Sequence, residues 1–238
     1  MLGAGIELLS NPTSVLFFGK LSCVYSERLR DELVQVGFRV QEVWSTGIGE
    51  ELPLELEKWH GDYILCFRSR YILPQWLIAR AEQAAVNIHP GPPEYRGSGC
   101  LNWALYDGVA DYGVTAHFMN EQVDAGRIID VVRFGIHEDD SVSTLLRRTH
   151  EHSLDLAKDL VQGIANYGHK FLHSRANLAS NEKWSGPARR MESVDSLSRV
   201  DSSMSRTQIE RVIRATHTSE FPTYVEIFGY RFLLNTEH

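Results

Sequence analysis

Residues 15–36, V-L-F-F-G-K-L-S-C-V-Y-S-E-R-L-R-D-E-L-V-Q-V, decide the fold class of this chain. The apolar run V-L-F-F, which stops at Gly19, is typical of a strand that is buried on both faces. Apolar residues then recur at helical spacing as far as Gly37, which favours the end of a helix. The helix presents one apolar stripe, formed by Tyr25, Leu29, Leu33 and Val36.

The same alternation continues along the chain. The pattern predicts strands at 38–44, 63–67 and 84–89, and helices around 51–59 and over 74–81. Alternating strands and helices imply parallel strands joined by right-handed crossovers. We therefore expect an α/β protein with a Rossmann-like, mostly parallel sheet and flanking helices.

The second half of the chain predicts a helix at 101–106 and strand-like runs at 112–119 and 128–134. A long apolar stripe predicts a helix over 142–164, with Asp139 and Asp140 placed to cap its start. A short helix at 207–214 and a hairpin around Gly229 follow. The expected organisation is a catalytic domain at 1–166, a linker at 167–206, and a C-terminal helix and hairpin at 207–238. The apolar hairpin favours a homodimer.

Composition excludes several classes of function. The chain has 238 residues and a net charge of −7, which argues against a protein that coats nucleic acid. Its three cysteines indicate a reducing compartment rather than a metal cluster. The absence of an 18-residue apolar run and of a secretion signal predicts a cytoplasmic protein that does not bind membranes. The phosphate-binding fingerprint G-x-G-x-x-G is missing after the first strand, so we expect no NAD site.

Residues 87–99, N-I-H-P-G-P-P-E-Y-R-G-S-G, hold the candidate chemistry. Side chains two apart in a strand share a face, so Asn87 and His89 should project together at the carboxyl end of a strand, where α/β sheets bind ligands. An amide can donate to a developing oxyanion, and an imidazole can take and give a proton near neutral pH. Asp124, in a loop before a flexible Ala-Gly pair, can supply the missing carboxylate.

Spacing alone leaves a plain structural interpretation open. A histidine at a strand end is often a satisfied structural residue, and D-A-G is ordinary turn chemistry. Cys100 and His117 are close in sequence to the candidate group, but a cysteine nucleophile needs an activating neighbour, and the sequence does not identify one.

Four motifs, in order between about residues 60 and 150, resemble the formyltetrahydrofolate-dependent formyltransferases. They are N-I-H-P-G-P-P-E-Y-R-G-S-G (87–99), N-W-A-L-Y (102–106), Y-G-V-T-A-H-F-M (112–119) and V-D-A-G-R-I-I (123–129). The P-G-P-P-E-Y-R-G version looks most like the enzymes that formylate nucleotide-linked amino sugars.

The resemblance implies an active site made of Asn87, His89 and Asp124. It implies 10-formyltetrahydrofolate as formyl donor, with no metal, in a slot formed by two segments. The corresponding residues here are Arg70, Tyr71, Ile72 and Leu73 in one segment, and Asn120 and Gln122 in the other. The candidates for contact with the amine-bearing substrate are Lys20, Pro92, Glu94, Tyr95 and Arg96. Aromatic candidates for a nucleobase are Trp184, Tyr224 and Phe228.

The acceptor amine is less well specified. The last 73 residues hold ten basic and eight acidic side chains (10 − 8 = +2), which argues against an RNA acceptor. The resemblance favours dTDP-4-amino-4,6-dideoxyglucose, used in surface polysaccharide or lipopolysaccharide synthesis. Two alternatives stay open: a formyltransferase acting on glycinamide ribonucleotide or another small phosphorylated amine, and a binding module for folate or nucleotide sugar without turnover.

Overall fold

The structure is a computed structural model that describes residues 12–218 and 222–235. The chain divides into two compact units, residues 1–85 and 86–238, and each is treated by itself below. Among the described residues, no helix has both the length and the apolar character needed to span a bilayer.

The first unit is built on three parallel strands in the order β2-β1-β3. Its elements are β1 (Ser14–Lys20), α1 (Val24–Gln35), β2 (Arg39–Ser45), a 3-10 helix (Leu54–Lys58), β3 (Gly61–Phe67), α2 (Gln75–Ile78) and the first part of β4 (Ala81–His89). Val15 pairs with Val40 on one side and with Tyr63 on the other. Because β1 is the central strand, both of its faces are covered, and Leu16, Phe17 and Phe18 are fully buried.

Two predicted helices of this unit are wrong in detail. The segment expected to be a helix at 51–59 forms only the 3-10 helix, in which Leu56 is the one buried residue. The helix expected over 74–81 ends at Ile78, and β4 begins at Ala81 rather than at residue 84. One or two buried apolar residues anchor a single turn but do not sustain a longer helix.

The second unit contains antiparallel strands. Its elements are the end of β4, β5 (Arg96–Gly97), α3 (Cys100–Asp107), β6 (Asp111–Phe118), β7 (Ile128–Gly135), α4 (Val142–Tyr167), α5 (Lys170–Leu178), β8 (Ala188–Arg189), α6 (Met191–Leu197), β9 (Arg199–Val200), α7 (Arg206–Thr216), β10 (Tyr224–Ile227) and β11 (Tyr230–Leu233). The end of β4 runs antiparallel to β6, and β6 runs antiparallel to β7. The fold class is confirmed as α/β, with a mostly parallel sheet and flanking helices.

Helix α4 begins differently from the prediction. Ser141 is its N-cap and forms a capping box with Thr144, so neither Asp139 nor Asp140 caps the helix. The Asp140 carboxylate instead accepts from the backbone N–H of His137 and pairs with Arg148. A serine satisfies the free N–H groups of the first turn, which leaves Asp140 for these longer-range contacts.

The segment predicted as a linker, 167–206, contains α5, α6 and the short strands β8 and β9. A few buried apolar residues, Leu172, Ala176 and Val194, anchor its helices. The predicted C-terminal helix and hairpin are present as α7 and β10–β11, and β9 pairs with β10 to give a three-stranded sheet. Phe228 and Gly229, both with positive φ, form the hairpin turn.

Candidate active site

Strands β4 and β6 place three polar side chains on one face. The register sets Asn87 opposite His117 and His89 opposite Thr115. Because alternate residues of a strand share a face, Asn87 and His89 project together, and the opposed His117 joins them. The register of β6 against β7 is irregular between Ala116 and His117, as in the bulges that often redirect side chains beside active sites.

Asp124 reaches this group from the loop between β6 and β7. Its Oδ2 lies 3.2 Å from Nδ1 of His89, and its Oδ1 lies 3.5 Å from Nε2 of His117. The side-chain amide of Asn87 donates to Oδ1 at 3.5 Å. His89 is 2% exposed and Asp124 is 6% exposed, so the contacts are made away from bulk water. The three residues that the sequence predicts to meet are therefore together.

Hydrogen-bond partners determine the protonation of His89. Its Nε2 lies 2.8 Å from the carbonyl oxygen of Tyr95, which can only accept. Its Nδ1 faces the Asp124 carboxylate, which is also an acceptor. Each ring nitrogen therefore carries a hydrogen, and His89 is an imidazolium. Burial alone lowers the pKa of His89, but the Cys100 sulfur and the Asp124 carboxylate together raise it well above its ordinary value.

The carboxylate of Asp124 is stabilised in its charged form. Burial alone raises the pKa of Asp124, but its contacts with His117 and His89 lower it far below its ordinary value. The backbone N–H of Gly97 also donates to Oδ2 at 3.2 Å. A buried ion pair with extra hydrogen bonds is expected to keep one geometry.

His117 also belongs to this group, although the sequence analysis noted only that it is close in sequence and gave it no role. Its Nδ1 lies 2.9 Å from the carbonyl oxygen of Phe118, so that nitrogen carries the hydrogen. Its Nε2 lies 3.1 Å from the amide nitrogen of Asn87 and 3.5 Å from Oδ1 of Asp124. His117 thereby contacts both residues. The spacing from Asp124 gives no hint of this contact, which depends on the strand register.

The loop that carries Asp124 is held in an unusual backbone conformation. Asp124 has a φ of +48°, in the left-handed region that side-chain-bearing residues seldom adopt. Nε of Arg96 donates to the carbonyl oxygen of Asp124 at 2.8 Å. A Cβ on Gly126 would lie 1.7 Å from the carbonyl oxygen of Phe118, so only glycine fits there. These contacts aim the carboxylate at His89.

Cys100 has a neighbour that the sequence did not identify. Its sulfur lies 3.7 Å from Nε2 of His89 and donates to the carbonyl oxygen of Gly97 at 3.1 Å. The sulfur is buried beside the candidate group, and we assign it no role in the chemistry.

The residues predicted to bind the donor lie in both units. Arg70 to Leu73 follow β3 in the first unit, where the N–H of Arg70 donates to Oγ of Ser45 at 3.0 Å and Ile72 is 77% exposed. Asn120 and Gln122 lie in the exposed loop of the second unit, where the Asn120 side chain accepts from the Gln122 N–H. Their roles stay predictions.

The residues predicted to bind the second substrate have different environments. Lys20 ends β1, and Pro92 is buried. The Tyr95 hydroxyl donates to Asp107 at 2.9 Å, and Glu94 pairs with Arg133 at 3.1 Å. Arg96 donates to the Asp124 loop, as described above. These contacts give Glu94, Tyr95 and Arg96 protein partners, and their substrate contacts stay predictions.

The three aromatic nucleobase candidates also differ. Tyr224 is buried, whereas Phe228 is 98% exposed at the hairpin turn. Trp184 lies at the candidate site, with its ring 5.6 Å from that of His89 and 5.1 Å from that of His117.

Comparison with known proteins supports an enzymatic interpretation of this geometry. A family model described as formyl transferase matches residues 43–159. A 4-N formyltransferase from Francisella tularensis has a similar fold, with a TM-score of 0.73 at 14% identity, over 94% of this chain and 97% of that one. A sugar N-formyltransferase from a Shewanella species gives a TM-score of 0.66 at 17% identity, over 93% and 96%.

A third similar structure is the N-formyltransferase from Helicobacter canadensis in complex with folinic acid and dTDP-3-aminofucose. It gives a TM-score of 0.64 at 15% identity, over 91% of this chain and 85% of that one. At such identities these structures indicate a shared fold. The family match itself contains Asn87, His89, His117 and Asp124, so this part of the chain matches the formyl transferase family.

Proposed function

We propose that this enzyme transfers a formyl group from 10-formyltetrahydrofolate to the amine of a nucleotide-linked amino sugar. The observation that carries the proposal is the buried contact of Asn87, His89 and Asp124 inside the formyl transferase match. The Helicobacter protein with folinic acid and a dTDP-amino sugar supports both substrate classes. The specific acceptor is dTDP-4-amino-4,6-dideoxyglucose, made in the cytoplasm for surface polysaccharide or lipopolysaccharide.

In this proposal Asn87 stabilises the oxyanion. The amine attacks the formyl carbon, and the carbonyl oxygen becomes negatively charged. The amide nitrogen of Asn87 lies 3.1 Å from Nε2 of His117, and its hydrogen bond to Asp124 is long, at 3.5 Å. The amide hydrogen of this long bond is the donor available to the oxyanion. A preorganised donor of this kind contributes on the order of 3 kcal/mol.

His89 acts first as an acid, because it is an imidazolium in the free enzyme. It gives a proton to the carrier nitrogen as the bond between that nitrogen and the formyl carbon breaks. The attacking amine, now bonded to the formyl carbon, loses one proton, which returns to His89 through Asp124. The net result is transfer of one proton from amine to carrier, with one C–N bond formed and one broken. The protein residues suffice for this proton balance.

An acceptor panel tests the substrate class. We expect formylation of dTDP-4-amino-4,6-dideoxyglucose, and little or no product with glycinamide ribonucleotide, when each is supplied with 10-formyltetrahydrofolate and product is followed by mass spectrometry. The dTDP-3-amino sugar is the matched control for the position of the amine. Formylation of the ribonucleotide alone contradicts the sugar proposal, and tight binding of folate and sugar without any product favours a binding module.

We also propose a homodimer that forms through β10 and β11. Strand β11 is an edge of its sheet, and its exposed large side chains include Tyr230, Phe232 and Leu233. Exposed apolar edge strands pair readily with a second copy of the chain. We expect Phe232→Lys to shift the sedimenting species from dimer to monomer, whereas Tyr167→Lys, at an exposed site on α4, leaves it unchanged. A monomeric wild-type chain at micromolar concentration contradicts this proposal.

A further inference from the structure

A segment outside the formyl transferase match, residues 182–189, is attached to the loop that follows β4. The backbone N–H of Ser185 donates to the carbonyl oxygen of Pro93 at 3.0 Å, and β8 pairs with β5. Arg133 bridges the two, since it pairs with Glu94 at 3.1 Å and with Glu182 at 2.8 Å. The 182–189 segment is thus fastened at both of its ends beside the candidate active site.

Trp184 is the residue of this segment that contacts the site. Its indole ring is T-shaped to both imidazoles, with interplanar angles of 73° to His89 and 87° to His117. Its Nε1–H donates to the carbonyl oxygen of Gly126 at 2.6 Å. The Arg96 guanidinium lies 6.0 Å from the ring centroid. Trp184 therefore contacts both histidines, the loop that carries Asp124, and the arginine that holds this loop.

We infer that Trp184 is a positioning residue of the active site, which orients His89 and His117 and fixes the Asp124 loop. The inference rests on the proposed function, because it assigns Trp184 a role in formyl transfer. In this inference Trp184 contacts the two histidines instead of the nucleobase suggested by the sequence. It also extends the active site beyond residues 43–159.

Three physical effects support this role. The indole covers both imidazoles and limits the water that competes for their hydrogen bonds. Aromatic pairs in T-shaped geometry are attractive, and a cation near an indole is attracted further, so the imidazolium of His89 is favoured. The bond to Gly126 holds a carbonyl two residues from Asp124, whose backbone is already in the left-handed region. Removal of the indole releases all three contacts at once.

The first experiment measures the contact without requiring activity. A protonated imidazole in contact with an indole quenches its fluorescence. We expect the tryptophan fluorescence of the wild-type chain to rise as the pH passes upward through the raised pKa of His89, and His89→Gln to abolish this step.

Two tryptophan variants assign the fluorescence step to one indole. The step should disappear in Trp184→Phe. It should persist in Trp103→Phe, which removes an indole of the same unit whose N–H has no hydrogen-bond partner among the described residues. A step that persists in Trp184→Phe, or that is absent from the wild type, overturns the inference.

The second experiment measures the role in catalysis. Misplacement of reacting groups by about 1 Å can cost about 100-fold in rate. We expect Trp184→Leu to lower kcat about 100-fold, and Trp184→Phe, which keeps a ring but loses the N–H, about 10-fold. The KM of each substrate should stay within about 3-fold of wild type. Circular dichroism and thermal unfolding check that each variant is folded.

The outcomes separate the possible roles of Trp184. A nucleobase contact predicts a raised KM for the sugar nucleotide with kcat unchanged, and a purely structural role predicts a normal kcat per folded molecule; either result overturns the inference. If the wild-type enzyme formylates no amine, the proposed function fails, and the fluorescence titration still decides whether Trp184 senses the imidazoles.

Discussion

Replacement of Asp124 by asparagine should lower kcat by about 1,000-fold, within the usual range for loss of a group that acts in proton transfer. The carboxylate accepts from the imidazolium of His89, the amide of Asn87 and the N–H of Gly97. Asparagine has almost the same shape and tolerates the positive φ of this position. It has no negative charge, however, so it neither supports the imidazolium nor relays a proton.

This prediction is measured by steady-state kinetics with 10-formyltetrahydrofolate and the amino sugar. The KM values should change little, because the substitution removes a charge rather than a binding surface. Asp130→Asn is a matched control at a partly exposed carboxylate that pairs with Arg175. A rate for Asp124→Asn within 10-fold of wild type contradicts the role given to the carboxylate.

Asp124→Asn should also change the acid stability of the fold. The pKa of Asp124 is lowered in the folded state, so the carboxylate stabilises the protein above its unfolded pKa, near 3.9. That stabilisation is lost as the pH falls toward the folded pKa. The wild-type and variant midpoints of urea unfolding should therefore converge as the solution is acidified.

Replacement of His89 by glutamine is expected to lower kcat by at least about 1,000-fold. Glutamine retains an N–H donor at a similar distance along the side chain, but it cannot give up and recover a proton. Its two hydrogens also cannot reproduce the fixed contacts with Tyr95 and Asp124. The loss should fall on kcat, since the ring is 2% exposed and offers little surface for binding.

The pH profile distinguishes an acid from a base at this position. Because the pKa of His89 is raised, the imidazolium is the form present at neutral pH, and its stabilising pair with Asp124 is lost only as the pH rises through that raised value. The wild-type kcat should therefore fall on the alkaline side, and the residual rate of His89→Gln should lack that fall. A wild-type rate that increases through the same range indicates that His89 works as a base.

Much of the fold follows from local patterns. The run at 15–18 predicts β1 because a central parallel strand is covered on both faces, and such burial requires consecutive apolar residues. The spacing of two between Asn87 and His89 correctly predicts a shared face. These features depend only on neighbours along the chain.

Other features depend on contacts between residues that are far apart in the sequence, and local sequence patterns do not predict them. His117 enters the site through the antiparallel register of β4 against β6, which no local pattern specifies. Trp184 lies in the serine-rich segment 167–206, which the sequence predicts to be a linker. A few buried residues nevertheless anchor the helices of this segment. The protonation of His89 depends on the Tyr95 carbonyl, a backbone group that has no sequence signature.

The loop between β6 and β7 is held by contacts at its ends and near Asp124. Its two ends lie together, because the Phe118 carbonyl leaves no room for a methyl group on Gly126, and Arg96 holds the carbonyl of Asp124 between them. Adding or deleting one residue there would rotate the carboxylate away from both imidazoles. Variation that adapts such an enzyme to new acceptors must therefore accumulate in other loops, while this one keeps its length.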